Sequence, residues 1–342
     1  MTADDPEPHV ALGAKVAFLQ RPASYPERTG HVESVETHMS WVFLTEHHAY
    51  KLKKPVRYDF LDFSTVDARR ADCHEEVRLN RRLARGVYLG VVALSSDARG
   101  ELSLDGPGTP VDWLVKMRRL PAHRMLDRAI RRGHVQRDEV RRVAEVLARF
   151  YKAARPVGMT AVAYRRRLET DIRDNLRELT LPTFRLPASL VRRVSAAQLD
   201  FTQRVPGLLD ARALEGRIIE AHGDLRPEHI CLGPEPVVID CLEFKREFRL
   251  LDPIDELAFL AMECEQLDAP SVGELFLATY SSLSGDYPPP ELVYLYKSFR
   301  ACLRAKIAIW HTKEPTARPA GHWSRTAQSY LRRAEAYVQE LR

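Results

Sequence analysis

The chain has 342 residues, of which 45% are hydrophobic and 29% charged, and carries a net charge of +5. That length accommodates two lobes or domains, and the composition is that of an ordinary soluble globular protein. The basic residues are mostly arginines spread along the chain beside acids, which argues against a nucleic-acid footprint clustered on one face or tail. The five cysteines, Cys73, Cys231, Cys241, Cys264 and Cys302, are scattered with no CxxC pair. They speak for a reducing compartment and against a disulfide framework or zinc site. The first residues, MTADDPEPHV, are acidic and unlike a signal peptide. No apolar run approaches the ~20 residues that span a bilayer. A cytoplasmic protein with no membrane or nucleic-acid partner is expected.

In chain order, residues 1 to about 30 read as a lead segment with one short helix at 10–20. WVFLTEHHAYKL (41–52) reads as two short strands around a polar turn. STVDARRADCHEEVRLNRRLAR (64–85) reads as a helix, capped by Ser64 or Thr65, with Val66, Cys73, Val77, Leu79 and Leu83 forming an apolar stripe. VYLGVVALSS and VDWLVKMRRL read as two more strands, separated by the turn-rich DARGELSLDGPGTP. The first 120 residues thus form a small, mostly antiparallel sheet with one helix after the third strand.

From Asp138 the chain turns helical. DEVRRVAEVLARFYKAA, YRRRLETDIRDNLREL and LVRRVSAAQLDFTQRV have amphipathic spacing. Short β-type runs, RIIEAHG and PVVIDCLEF, interrupt them between 218 and 244. Helices resume at 254–267, 271–283, 290–311 and 323–341. The boundary between a β-rich and an α-rich part falls near 118–125, which gives a lead segment (1–30), an N-terminal lobe (31–120) and a helical C-terminal lobe (121–342).

The stretch AHGDLRPEHICLGPEPVVIDCLEF (221–244) carries the chemistry. Phosphoryl transfer is mostly positioning and charge neutralisation. It needs a Lys on the nucleotide phosphates, a Glu to hold that Lys, an Asp near the attacking hydroxyl, and oxygen ligands for a metal. His222-Gly223-Asp224 follows a β run, and sixteen residues later Asp240 ends PVVID. Two carboxylates on the ends of a short β pair can converge, one for the hydroxyl and one for the metal.

The triplet, the Asp behind an apolar run and the later DPIDELA (252–258) together resemble the aminoglycoside phosphotransferase and choline-kinase-like branch of the protein-kinase-like fold. YKLKKPVRYDFLDFSTVDARR, LNRRLARGVYLGVV and DCLEF are similar to an uncharacterised bacterial group of that superfamily. The resemblance covers roughly residues 30–310. It implies a bilobal α+β protein-kinase-like fold, with a small antiparallel-sheet N-lobe and a larger helical C-lobe, binding ATP with Mg²⁺ or Mn²⁺. In some relatives of that group a P-loop ATPase domain follows; no GxxxxGK[ST] occurs here, so that activity is not expected.

Carried over, Asp224 is the catalytic Asp and Asp240 the metal-binding Asp. Ala49 and Lys51 have the Ala-x-Lys spacing of the kinase phosphate-binding strand. Alternation puts Ala49, Lys51 and Lys53 on one face, with Lys51 for the phosphates and Lys53 in reserve. Glu76 is the better partner for Lys51, because Glu75 points about 100° away on the same helix. Met117 to Leu120 would form the hinge that holds the adenine. Asp252 and Asp255 would brace the catalytic loop or cap the following helix, and His222 would brace backbone.

Three departures qualify the resemblance. The superfamily's metal-ligating Asn falls on His229, and magnesium favours oxygen ligands; His229 then favours manganese, works through a bridging water, contacts substrate, or marks lost catalysis. No glycine-rich loop precedes Lys51, so the turn ETHMSW would offer donors from Thr37, His38 and Ser40. Asp240 is followed by Cys-Leu-Glu, which leaves Glu243 as a second metal ligand or a salt-bridge former. Lys297, Arg300 and Arg304 share one helix face; they are either a solvated basic stripe or the lining for an acidic or phosphorylated acceptor. The function expected is phosphorylation of a small-molecule hydroxyl. A catalytically impaired nucleotide-binding regulator and an AMP transferase are the alternatives.

Overall fold

The structure, a computed structural model, describes residues 10–58, 61–313, 319 and 321–341. The acidic start of the lead segment lies outside the described residues. Contacts divide the chain into two units: one runs to Met125 and takes in Val237–Glu247, and the other comprises Leu126–Pro236 and the chain from Phe248. The chain leaves the first unit at Met125, whereas the sequence reading placed the boundary at 118–125 and kept 237–247 with the helical lobe. Those eleven residues pack with the sheet unit instead.

The first unit contains α1 (Leu12–Leu19), β1 (Glu33–Glu36), β2 (Ser40–Leu44), β3 (His48–Lys53), β4 (Arg57–Tyr58), β5 (Leu61–Asp62), α2 (Val66–Asn80), β6 (Tyr88–Ser96), β7 (Leu102–Leu104) and β8 (Thr109–Arg118). Six strands form one sheet in the order β1-β2-β3-β8-β6-β7. Every described pairing in it is antiparallel. β4 and β5 pair as a separate hairpin. Alternation along β3 sorts its side chains. Tyr50 and Leu52 pack with Phe43, Leu94 and Leu114 beneath Leu19 of α1. Ala49 packs on the other face with Cys73 and Val77 of α2. Fully burying each Leu-sized side chain contributes roughly 1.5–3 kcal/mol, so the two faces fix the register of β3 and thereby the face on which Lys51 and Lys53 sit.

Helix α2 starts at Thr65, whose side chain accepts from the Ala68 amide; the neighbouring candidate Ser64 is bonded to Asp62 instead. A buried carboxylate fixes the helix to the sheet. Both oxygens of Asp112 on β8 accept from Arg69, at 2.8 and 2.9 Å. Lys15 of α1 reaches the same carboxylate at 2.7 Å. Beside it, the Arg70 guanidinium lies 4.7 Å from the centre of the Trp113 ring, and the Cys73 thiol donates to the Trp113 carbonyl.

The second unit is helical: α3 (Leu126–Arg131), α4 (Arg137–Ala153), α5 (Ala161–Leu179), α6 (Ala188–Arg204), α7 (Pro206–Leu214), α8 (Pro253–Gln266), α9 (Pro270–Ser284), α10 (Pro290–Trp310) and α11 (His322–Val338). Its main core joins Val191, Val194, Phe259, Met262, Ile309 and Leu331. Small residues allow close crossings: Ala301, Ala305 and Ala308 of α10 and Ala327 and Ala334 of α11 belong to one buried cluster. At Gly273 of α9 an added Cβ would stand 2.6 Å from the Ala261 Cα of α8. Ile219–Glu220 pairs with Leu250–Leu251 as a two-stranded ladder, which joins the residues on either side of the motif stretch. All five cysteines are buried thiols. Among the described residues no helix is long and apolar enough to cross a membrane.

Candidate functional site

In the first unit, β3 and α2 build a double ion-pair lattice. Lys51 Nζ lies 2.9 Å from Glu76 Oε1 and 3.0 Å from Asp240 Oδ1. Lys53 Nζ lies 2.6 Å from the other Glu76 oxygen, 2.6 Å from Asp72 and 2.5 Å from Glu243. Glu76 is fully buried and shared between the two lysines, while Glu75 pairs with Arg78 near the surface. Burial alone would lower the Lys51 ammonium. The carboxylates of Asp240 and Glu76 outweigh it and hold Lys51 charged well above the usual range. The same opposition, led by Glu243 and Glu76, acts on Lys53. The four carboxylates of Glu76, Asp240, Asp72 and Glu243 around Lys51 and Lys53 leave two negative charges in surplus. Burial pushes the Asp72 carboxyl up to about 7, with Lys53 opposing and Glu243 adding to the rise.

The segment bearing Asp240 is held by specific bonds. Asp240 adopts φ +61°, a left-handed conformation that costs a non-glycine residue free energy. Its amide donates to the Tyr88 hydroxyl at 3.0 Å, and the Cys241 amide donates to Asn80 Oδ1 at 2.8 Å. Glu243 closes onto Lys53. The reserve role expected for Lys53 is therefore corrected: its side chain is 1% exposed, and its ammonium donates to Glu76 and Glu243 with Asp72 at ion-pair distance. Of the two readings of Glu243, the salt-bridge former is the one seen. A cavity of about 900 Å³ lined by Tyr58, Phe63, Asp72, Glu243 and Phe244, among others, opens beside this lattice.

Thr37 and Ser40 do not present phosphate donors. The Thr37 hydroxyl lies 2.9 Å from the Ser40 carbonyl and accepts from the Ser40 amide at 3.0 Å. The two hydroxyls also meet at 3.1 Å. The turn between β1 and β2 satisfies itself, and His38 within it stacks on Tyr58. Met117, next to last in β8, lies opposite Ala49, buried in the cluster against which Leu120, Val237 and Ile239 also pack.

In the second unit, Glu256 supports the His222-Gly223-Asp224 loop. It accepts from the amides of His222 and Gly223, at 3.0 and 2.6 Å to Oε1, and from the Tyr151 hydroxyl at 2.9 Å to Oε2. Burial raises its carboxyl, and these donors oppose the rise. Of the two roles read from the sequence for Asp252 and Asp255, capping the following helix is the one Asp252 performs, while the bond to the loop amides falls to Glu256. Asp252 caps α8 through the Ile254 amide and pairs with Arg212, and Asp255 pairs with Arg300. Gly223 adopts φ +92°, the left-handed freedom that lets two successive amides face one carboxylate.

His229 Nδ1 lies 2.8 Å from the Asp224 carbonyl. A carbonyl only accepts, so Nδ1 carries a proton; whenever the ring is neutral, its lone pair lies on Nε2. Arg226 pairs with Glu228 and stands 3.8 Å from Asp224 Oδ2. Burial would raise the Glu228 carboxyl, but Arg226, His229 and Arg304 hold it below its usual value.

The basic stripe of α10 is corrected. Lys297, Arg300 and Arg304 share a face, but that face meets the acids of α8. Lys297 pairs with Glu265 at 2.5 Å, Arg300 with both Asp255 oxygens at 2.7 Å, and Arg304 with Glu263 at 2.9 Å. Lys297 and Arg300 are buried. Arg304 alone also feels Asp224: burial lowers it, while Glu263, Tyr330 and Asp224 raise it.

No family model matches the chain. Uncharacterized proteins of Mycobacterium tuberculosis and Mycobacterium bovis are 36% identical over 280 residues, which is 80% of this chain and 53% of theirs. The chain thus spans about half the length of the curated relatives it matches. Among solved structures, it is similar to a choline/ethanolamine kinase family protein from Mesorhizobium loti, with a TM-score of 0.53 at 16% identity over 95% of this chain and 99% of that one. Choline kinase LicA from Streptococcus pneumoniae gives 0.53 at 15% identity over 90% and 94%. The apo form of a thermostable mutant of aminoglycoside phosphotransferase APH(4)-Ia gives 0.52 at 12% identity over 92% and 95%. At such identities the likeness is one of fold. The chain has the bilobal, protein-kinase-like α+β fold of these structures, with a six-stranded antiparallel sheet in one unit and helices in the other.

Proposed function

We propose that the protein is an ATP- and metal-dependent phosphotransferase acting on a hydroxyl of a small molecule. The observation that carries this reading is Lys51, held between Glu76 and Asp240 at 2.9 and 3.0 Å. It is the arrangement a phosphate-binding lysine and a metal-binding carboxylate adopt when they neutralise one another. The residues fit the cofactors. Lys51 offers a charged ammonium for phosphate oxygens, and Asp240 offers a hard carboxylate on a half-exposed side chain (45%). The His229 tautomer, Nδ1 on a carbonyl and the lone pair on Nε2, is the one a metal-ligating histidine adopts, and it favours Mn²⁺ over Mg²⁺. Glu243, committed to Lys53, does not fit a ligand role. When bound, the divalent cation would offset charge on the phosphates.

The chain's own residues would divide the rest of the work. Glu76 keeps Lys51 charged and oriented. Asp224 orients the acceptor hydroxyl and takes its proton. Glu256, through the His222 and Gly223 amides, holds the loop that presents Asp224. An acidic or phosphorylated acceptor has weaker support than the sequence suggested, because the α10 cations are matched by α8 acids. The self-satisfied turn at Thr37 and Ser40 favours one second reading, a nucleotide-binding regulator without transfer activity.

The test is a thermal-shift titration with ATP in Mg²⁺, Mn²⁺ or EDTA, followed by an acceptor screen read by mass. Saturation at ~100 times the dissociation constant stabilises by roughly 2.7 kcal/mol. A metal-dependent shift, larger with Mn²⁺, and a phosphoryl mass gain that Asp224→Asn abolishes are expected. A shift without metal and no transfer supports the regulator, an AMP mass gain means nucleotidyl transfer, and no shift at all refutes nucleotide binding.

A further inference from the structure

We propose that Lys53 is a positioning residue, a buried cation that pins the Val237–Glu247 segment to helix α2 and keeps Asp240 in place when Lys51 is drawn onto a ligand. The role at the ligand-bound stage rests on the nucleotide reading above; the pinning itself does not.

Two rungs leave neighbouring positions on one face of β3. The first runs from Glu76 through Lys51 to Asp240, and the second from Glu76 and Asp72 through Lys53 to Glu243. They differ in exposure. Lys51 is 14% exposed and Asp240 45%, against 1% for Lys53 and 9% for Glu243. An ion pair with one wet end exchanges readily, because water and incoming ions replace what it gives up. A desolvated pair has no such substitute, and parting it leaves charges buried alone. Anything that takes up Lys51 and Asp240 therefore opens the first rung and leaves the second closed.

The rest of the segment's anchoring points the same way. Upstream, the Asp240 and Cys241 amides are tied to Tyr88 and Asn80, and the Arg82 guanidinium donates to Cys241 Sγ. Charge reaches α2 through Lys51 and Lys53. The residue type also matters. A lysine ammonium is a compact charge with three donors, and three carboxylates converge on it here. A planar guanidinium cannot meet that convergence from the same stem.

Hydrogen exchange on the full chain, without metal or nucleotide, decides the pinning. Glu243→Gln removes the negative charge from the segment's end of the second rung, keeping one acceptor oxygen, and leaves Lys53 two carboxylates of α2, so the fold survives even where Lys53→Met does not. Exchange over residues 239–247 at least tenfold faster than in wild type is expected for Glu243→Gln, and within threefold of wild type for Lys51→Met. Wild-type exchange in Glu243→Gln, or equal opening in Lys51→Met, overturns the proposal. The ligand-bound role is read from ATP affinity with and without Mn²⁺ in Lys53→Arg. The metal-dependent gain falls at least tenfold while metal-free affinity stays within twofold; equal loss of both, or of neither, overturns it. Wild-type protein that binds no nucleotide would refute the functional reading alone, with the exchange result deciding the pinning.

Discussion

Replacing Asp72 with Asn tests the charge surplus around Lys53. Asp72 lies 2.6 Å from Lys53 Nζ, and Glu76 and Glu243 already occupy that ammonium. Burial raises its carboxyl to about 7, against about 4 in the unfolded chain. Below pH ~4 both states are protonated and the contribution to stability is complete. As pH rises, the unfolded chain ionises first, while the folded protein holds its proton, so stability falls until pH passes about 7. Integrated between pH 5 and 8, such a shift removes on the order of 2–3 kcal/mol. Asn copies the shape of the protonated acid and does not titrate. The stability of wild type relative to Asp72→Asn should therefore fall by on the order of 2–3 kcal/mol from pH 5 to 8, read from urea unfolding midpoints at each pH. Parallel profiles would refute the surplus. A difference that grows with pH would mean that Asp72 is an ordinary paired carboxylate with a lowered pKa.

Three further outcomes are expected. Glu256→Ala strands the His222 and Gly223 amides and the Tyr151 hydroxyl, at about 1–3 kcal/mol for each buried group; denaturant unfolding should show a loss of about 3–5 kcal/mol, and Glu256→Gln, which keeps one acceptor oxygen, less than half of that. Arg300→Met leaves Asp255 charged and buried, costing about 3–5 kcal/mol in the same assay, and adding Asp255→Leu should recover most of it. Gly273→Ala gains about 1 kcal/mol of helix propensity but presses a methyl group to 2.6 Å from Ala261 Cα; the overpacking, about 1–3 kcal/mol, should win and lower Tm.

The sequence made the elements legible where periodicity is long. The helices from Arg137 onward other than α7, and the strands flanking Lys51, lie close to where hydrophobic spacing put them. β7 lay hidden in a Gly- and Pro-rich stretch, because three residues are too few to display alternation. β1, Glu-Ser-Val-Glu, carries too little apolar character to read as a strand. Helical geometry separated Glu76 from Glu75, since the two point about 100° apart. The same kind of geometry failed for Lys297, Arg300 and Arg304: spacing shows that residues share a face, but not what that face meets. Here it meets α8, whose acids are remote in sequence. Lys53 and Lys51 likewise share a face of β3, and only the packing of α2 and the 237–247 segment decides which of them is sealed. Glu256 carried a signal, an acid in DPIDELA, yet the choice among three acids there needed the loop's path.

The Trp113 ring stands under the Arg70 guanidinium, one residue from the Asp112 carboxylate that grips Arg69 and with its carbonyl receiving the Cys73 thiol. Three residues of α2 thus converge on the surroundings of one indole. The chain's three other tryptophans, Trp41, Trp310 and Trp323, lie on β2, α10 and α11. Substituting those three with Phe would leave a single emitter whose colour and lifetime follow the helix that carries Glu76, an intrinsic optical gauge of α2 that needs no label.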